Sequence, residues 1–146
     1  MKRFVITFFT TLFSFISVKA QVTSKSNESK RKEQRAIAAN AKTGDFLYGT
    51  ASYYADKFDG RKTANGKSYK QEALSAACNL LPLGTWIKVT NLKNNKSIIV
   101  QVNDRLHAKN NRLLDLSKGG AAKLGYIKNG LARVQVEVLG KKKPKD

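Results

Sequence analysis

From residue 45 onward, apolar and polar positions follow one another in short runs, separated by Gly, Asn and Asp. Trp86-Ile87-Lys88-Val89-Thr90 alternates in the way a half-buried strand does. Ile98-Ile99-Val100-Gln101-Val102 is richer in apolar β-formers, and Asn91, Asn94 and Asn95 lie between the two runs. The pattern predicts a β-hairpin whose second strand is the more deeply buried, running straight into Asn103-Asp104-Arg105. Phe46–Tyr54 mixes aromatic and small residues and suits a strand with close backbone packing at Gly49. Asp56–Tyr69 contains Asp59-Gly60 and Asn65-Gly66 and is expected to be a loop with two turns. Ala73–Cys78 is short and apolar, a strand or a helix turn, broken by Leu81-Pro82-Leu83-Gly84. His107–Arg112 reads as a second polar loop and Leu113–Leu116 as a short strand. Ser117 is placed to cap a helix over Gly119–Leu124, which Gly125 ends. Asn129-Gly130 then turns the chain into Leu131–Leu139, where Val134, Val136 and Val138 share one face. Short strands, two long polar loops and one small helix suggest a small, mainly β barrel, with a topology that the pattern leaves open.

The ends of the chain change the picture. Lys2 and Arg3 precede an apolar run, Phe4–Val18, and Val18-Lys19-Ala20 offers small residues to a signal peptidase. Residues 1–20 are therefore expected to be a secretory signal cleaved before Gln21, too short for a comfortable membrane span. Residues 21–44 are basic and poor in large apolar side chains, as expected of a flexible linker with a transient helix near Glu33–Ala41. The barrel is expected over residues 45–140, and 141–146 is a basic tail. The residue after the cleavage site is Gln21 and not Cys, so the reading is export to the periplasm or medium without a lipid anchor or a membrane span. The whole chain of 146 residues carries 28 basic and 10 acidic side chains, net +18. Without residues 1–20, 25 basic residues face the same 10 acidic ones, net +15. Such a field attracts anionic envelope polymers, membrane surfaces or nucleic acid without choosing between them.

One Cys and one His, Cys78 and His107, are too few soft ligands for an ordinary zinc site, and they exclude a disulfide framework. Cys78 sits in an apolar stretch, so it is either a packed small side chain or a nucleophile. The sequence has no phosphate-binding glycine loop and no nucleic-acid motif. Tyr53, Tyr54 and Phe58 are either core or a platform for sugar rings. Asp104 and Asp115 stand out among the carboxylates because each sits beside a buried strand and near a loop. Either one caps a turn or pairs with a neighbour such as Arg105, or they work on a bond in a cleft. Glycosidic cleavage needs an acid on the leaving oxygen and a base for the attacker. One carboxylate suffices when the attacker is a hydroxyl of the sugar itself. An active Asp104 would then need an apolar pocket, with Arg105 turned away.

GTASYY, GRKTANGKSY, LPLGTWIKVTNLKNNKSIIVQVNDR, LLDLSKGGAAKLG and VQVEVL stand in this order between Tyr48 and Leu139. Together they resemble the RlpA-like (rare lipoprotein A) family of septal lytic transglycosylases. The resemblance implies a six-stranded double-psi β-barrel with one or two short helices. It also implies action on peptide-poor peptidoglycan glycan strands, with an anhydro-muramyl product, and no cofactor or metal. It places the family's functional Asp on Asp104 as general acid and base. Asp115, in the DLS motif, would raise the pKa of Asp104 or steady positive charge on the sugar. Tyr54, Thr63, Asn65, Asn103 and Arg105 are expected along the sugar groove. The family's Glu position holds Lys67 and its His position holds Cys78, so both are also expected at the groove. The alternative is a non-catalytic, expansin-like module that binds wall glycan and cleaves nothing.

Overall fold

The computed structural model describes residues 28, 29, 32, 33, 36 and 40–145. The expected signal, residues 1–20, and most of the expected linker lie outside the described residues. Six strands follow in chain order: β1 (Phe46–Tyr53), β2 (Ser75–Ala77), β3 (Trp86–Asn91), β4 (Ser97–Asp104), β5 (Leu114–Leu116) and β6 (Ala132–Gly140). Over residues 40–145, one helix, α1 (Lys118–Leu124), and 3₁₀ turns at Asp56–Phe58 and Ile127–Asn129 complete the elements, and the described residues 28, 29, 32, 33 and 36 are helical. The strands close into a barrel in the order β1-β5-β2-β4-β3-β6. Hairpin neighbours β3 and β4 pair antiparallel, whereas β1 with β5 and β2 with β4 pair in parallel. Closure leaves no free sheet edge.

The interior follows from the alternation. Ile87 and Val89 of β3, Val100 and Val102 of β4, Leu114 and Leu116 of β5, and Val134 and Val136 of β6 are fully buried. Each such side chain contributes roughly 1.5–3 kcal/mol on leaving water. The expected difference between the hairpin strands is not found: β4 alternates like β3, and Ile99 is exposed on the outer face. A barrel wall has one inside, so the apolar excess of β4 cannot all be buried. At Gly49, β1 runs tightly against the residue before β5: an added Cβ would stand 2.6 Å from the Leu113 Cβ. The short stretch around Ala76 is a strand, β2, squeezed between β4 and β5 with all three residues buried.

Ser117 caps α1 by accepting a hydrogen bond from the Gly120 amide at 3.2 Å, and Gly125 ends it in the left-handed region at φ 75°. The hairpin turn then closes on that helix end. Asn91 and Asn94 each donate a side-chain N–H to the Leu124 carbonyl at 2.9 Å. Two carboxamides thus satisfy a carbonyl that the helix itself leaves open.

One irregularity decides where the carboxylates face. Ala76 stands opposite Val102, but the next β2 residue, Ala77, stands opposite Asp104. Asn103 is therefore an extra residue in β4, a β-bulge. Val100 and Val102 point inward, and simple alternation would send Asp104 inward with them. The bulge reverses the parity and re-aims Asp104 out of the barrel interior. Ala77 is also the register partner of Asp115 in β5. The two aspartates thus flank one alanine at the same level, two strand spacings or about 10 Å apart at the backbone.

Candidate functional site

Asp104 and Asp115 line one cavity of about 520 Å³. Tyr54, Phe58 and Tyr69 form an aromatic wall, with Tyr54 4.7 Å from Tyr69 and 5.9 Å from Phe58 between ring centres. Arg61, Lys62, Arg105, His107 and Arg112 add positive or polar groups to the lining. The Arg61 guanidinium lies 5.4 Å from the Phe58 ring centre, within cation–π range.

Asp104 is not in an apolar pocket. Its Oδ2 accepts a hydrogen bond from the Tyr54 hydroxyl at 2.8 Å. Its Oδ1 accepts two, from the backbone N–H groups of Ala64 and Arg105, each at 2.8 Å. Arg105 is turned away as expected: its guanidinium donates to the carbonyls of Cys78 and Leu81. Those two neutral acceptors hold the cation off the carboxylate next to it in sequence.

The Ala64 donor explains the Thr-Ala-Asn-Gly stretch. Thr63 is buried, and its hydroxyl lies 2.6 Å from Asn65 Oδ1 and 2.8 Å from the Lys67 carbonyl. Asn65 Oδ1 accepts the Lys67 N–H at 3.2 Å, and the Asn65 N–H donates to the Asn103 carbonyl at 3.1 Å. This is a side-chain-braced turn, tied to the bulge, that aims one amide at Asp104. Thr63, Asn65 and Asn103 are therefore not lining residues, contrary to the expectation; they set the position of what does line the cavity. Lys67 is on the exposed side of the same turn and does not line it either.

Cys78 is a second correction. It is 1% exposed and belongs to the apolar core, so its thiol meets no groove. Burial, the largest influence, raises the thiol above its ordinary ionisation range, although nearby backbone donors and Arg105 pull the other way. The apolar neighbours that made the stretch ambiguous are what enclose it.

Asp115 faces the cavity, but its charge is met. Arg112 donates from Nε to Oδ1 at 2.8 Å and from Nη2 to Oδ2 at 3.0 Å. The fork occupies both oxygens, so the role expected for Asp115, acting as a free anion on Asp104 or on a sugar, does not fit this geometry. Arg112 was not singled out in the sequence; the available signal was an Arg three residues ahead of a buried strand carboxylate. Tyr69 was also missed, because one aromatic closing a long polar loop does not reveal which wall it joins. Among the described residues, no cluster of three or more His, Cys, Asp or Glu stands close enough to hold a metal.

A closed six-stranded barrel whose cavity holds one carboxylate pinned by backbone amides narrows the comparison with known proteins. The lytic transglycolase family, a double-psi β-barrel domain, matches residues 47–136. The chain belongs to this RlpA-like family. Relatives named endolytic peptidoglycan transglycosylase RlpA include that of Campylobacter jejuni, 50% identical over 97 residues, and that of Pseudomonas aeruginosa PAO1, 50% identical over 91. The first match covers 66% of this chain and 35% of the relative, the second 62% and 27%. The chain thus spans about a third of the length of these relatives. RlpA-like barrels also share their architecture with more distant structures. The Streptomyces papain inhibitor superposes with TM-score 0.53 at 24% identity, over 66% of this chain and 96% of the inhibitor. A mutant Clavibacter michiganensis expansin, solved with cellohexaose, superposes with TM-score 0.53 at 20% identity, over 69% of this chain and 54% of the expansin. At such identities the likeness concerns the fold.

Proposed function

We propose that this chain is a lytic transglycosylase that cleaves peptide-poor glycan strands of peptidoglycan, with Asp104 as the single acid and base. The observation that carries the reading is the unequal engagement of the Asp104 oxygens. Two backbone amides pin Oδ1, while Oδ2 meets only the Tyr54 hydroxyl and is the oxygen left to exchange a proton. In the proposed cycle a bound strand displaces water from the cavity and supplies the apolar surroundings that the free site lacks, and Asp104 gives a proton from Oδ2 to the glycosidic oxygen as the bond to the muramyl C1 breaks. The resulting carboxylate then takes the proton of the C6 hydroxyl as that oxygen bonds to C1. The product is a 1,6-anhydro end, no water is consumed, and Asp104 regains its proton. One carboxylate serves both steps, as a barrel with Lys67 and Cys78 at the family's Glu and His positions requires. The wall of Tyr54, Phe58 and Tyr69 offers ring faces to sugars. Asp115 and Arg112 act as a neutral positioning pair. The names of the 50%-identical relatives support the substrate class, and the leader-like residues 1–20 support action in the cell envelope.

A second reading is favoured by the same cavity. It presents only one carboxylate not already paired with an arginine, which also suits a barrel that grips glycan without cutting it. Incubation with peptide-free glycan strands, followed by mass spectrometry, separates the two. Anhydro-ended fragments that disappear with Asp104→Asn support the enzyme. Intact strands that co-sediment with the protein support the binding module.

A further inference from the structure

We propose that the surface built by the hairpin turn after β3 and the segment after α1 is a docking surface for anionic phospholipid. The two segments are tied together. The Leu92 amide donates to the Arg133 carbonyl at 2.9 Å, and Asn91 and Asn94 are tied to the Leu124 carbonyl. A cavity of about 350 Å³ lies between them, lined in part by Lys93, Leu131 and Arg133. Lys96 reaches the same place, its Nζ 3.8 Å from where a Cβ on Gly125 would stand. Lys123 lies in the last turn of α1, beside the capped carbonyl.

The charge here is predominantly positive: Asp56, which shares a pocket with Gly130, is already paired with Lys118. The two segments that build this surface, residues 86–103 and 116–136, contain no Asp or Glu. Lys93, Lys96, Lys123 and Arg133 are all exposed. That much would suit any polyanion. Leu92 and Leu131 make the choice: they are 44% and 52% exposed, at the tips of the two segments. Exposed leucines within a basic ring add nothing to contact with a hydrated polymer. At a lipid surface they enter the headgroup–acyl boundary while the cations meet phosphate. The eight residues of β4 separate the hairpin turn from Asp104 by about 23 Å, whereas the segment after α1 reaches the cavity wall, where the Ile127 carbonyl accepts from the Tyr53 hydroxyl at 3.1 Å.

Hydrogen exchange of the full chain tests this with vesicles of phosphatidylglycerol and phosphatidylcholine against phosphatidylcholine alone. The expected result is slowed exchange at residues 91–96 and 127–133 with the anionic vesicles only, and none at 56–69. Unchanged exchange at the first two segments overturns the proposal, whatever else tethers the chain. Affinity measurements then separate lipid from soluble polyanion. Leu92→Ser with Leu131→Ser should weaken binding to anionic vesicles at least threefold and leave heparin retention unchanged. Lys93→Glu with Lys96→Glu should weaken both, by roughly fivefold per lysine on vesicles. If the leucine variant binds vesicles like the parent while the lysine variant loses heparin, the surface serves a soluble polyanion and the lipid proposal fails.

Discussion

The Tyr54 hydroxyl and Asp104 Oδ2 meet at 2.8 Å, although Tyr54 follows β1 and Asp104 ends β4, strands that are not neighbours in the barrel. β5 and β2 lie between β1 and β4, so this bond spans the rim rather than a ladder. It joins the aromatic wall to the carboxylate. Its loss should affect proton exchange more than substrate grip.

Tyr54→Phe keeps the ring and removes the donor. The expected result is a kcat lower by about tenfold to a hundredfold with KM within about twofold, the pattern of a group that acts in the transition state. Stability should fall by only about 1 kcal/mol, the net worth of one hydrogen bond. Steady-state kinetics on glycan strands and thermal unfolding check both parts. A KM rise with unchanged kcat would reassign Tyr54 to sugar binding.

Arg112→Gln leaves Asp115 facing a cavity without its cation. Asp115 is largely buried and Arg112 partly exposed, so the loss falls below that of a fully buried pair, about 2 kcal/mol. Asp115→Asn in the same chain should restore part of it, and the double-mutant cycle in denaturant isolates the pair. If each variant loses stability independently, the fork seen here contributes no coupling.

Alkaline pH should destabilise the barrel through its tyrosines. Burial first, then the hydrogen bond and charge of Asp104, pushes the Tyr54 hydroxyl far above the ordinary value of 10.0. Burial chiefly raises Tyr126 and Tyr69 as well. In the unfolded chain these groups ionise near pH 10, so above that point the folded state binds more protons. Their contribution is complete below about pH 10 and is lost as pH rises toward the folded values. Thermal scans from pH 8 to 12 should show a decline that begins near pH 10, and Tyr54→Phe should soften it. Phenolate absorbance should lag behind that of the unfolded chain over the same range.

Cys78 should be inert in the folded chain. Its side chain is enclosed and its thiol is held protonated by burial. Ellman's reagent at pH 8 is expected to react only as fast as the protein opens, and at once in guanidinium. Rapid stoichiometric reaction under native conditions would contradict its placement in the core. A disulfide-linked dimer on non-reducing electrophoresis would contradict it too.

Much of the barrel was legible along the chain. Alternation at Trp86–Thr90 and Leu131–Leu139, Asn-rich and Gly-rich turns, and the Ser117 cap each depend on residues within one element, and each appears where the pattern puts it. Gly49 announced close packing, although only the fold supplies Leu113 as its neighbour. The site was less legible. Asp104 could be picked out by its place after a buried strand, but its three donors come from Tyr54, Ala64 and Arg105, two of them distant in sequence.

Local chemistry along the chain is therefore enough to settle most of the elements and the candidate carboxylates, because periodicity and turn preference act over a few residues, but it left Ala73–Cys78 open and overstated the burial of β4. Barrel closure decided the rest. One extra residue, Asn103, turns Asp104 out of the interior, and pairing through Ala77 brings Asp115 to the same level. Arg112 then claims Asp115, the core claims Cys78, and the Thr63–Lys67 turn becomes a brace instead of a groove. Those outcomes depend on which strands meet and in what register, and a strand's own alternation is the same for any partner.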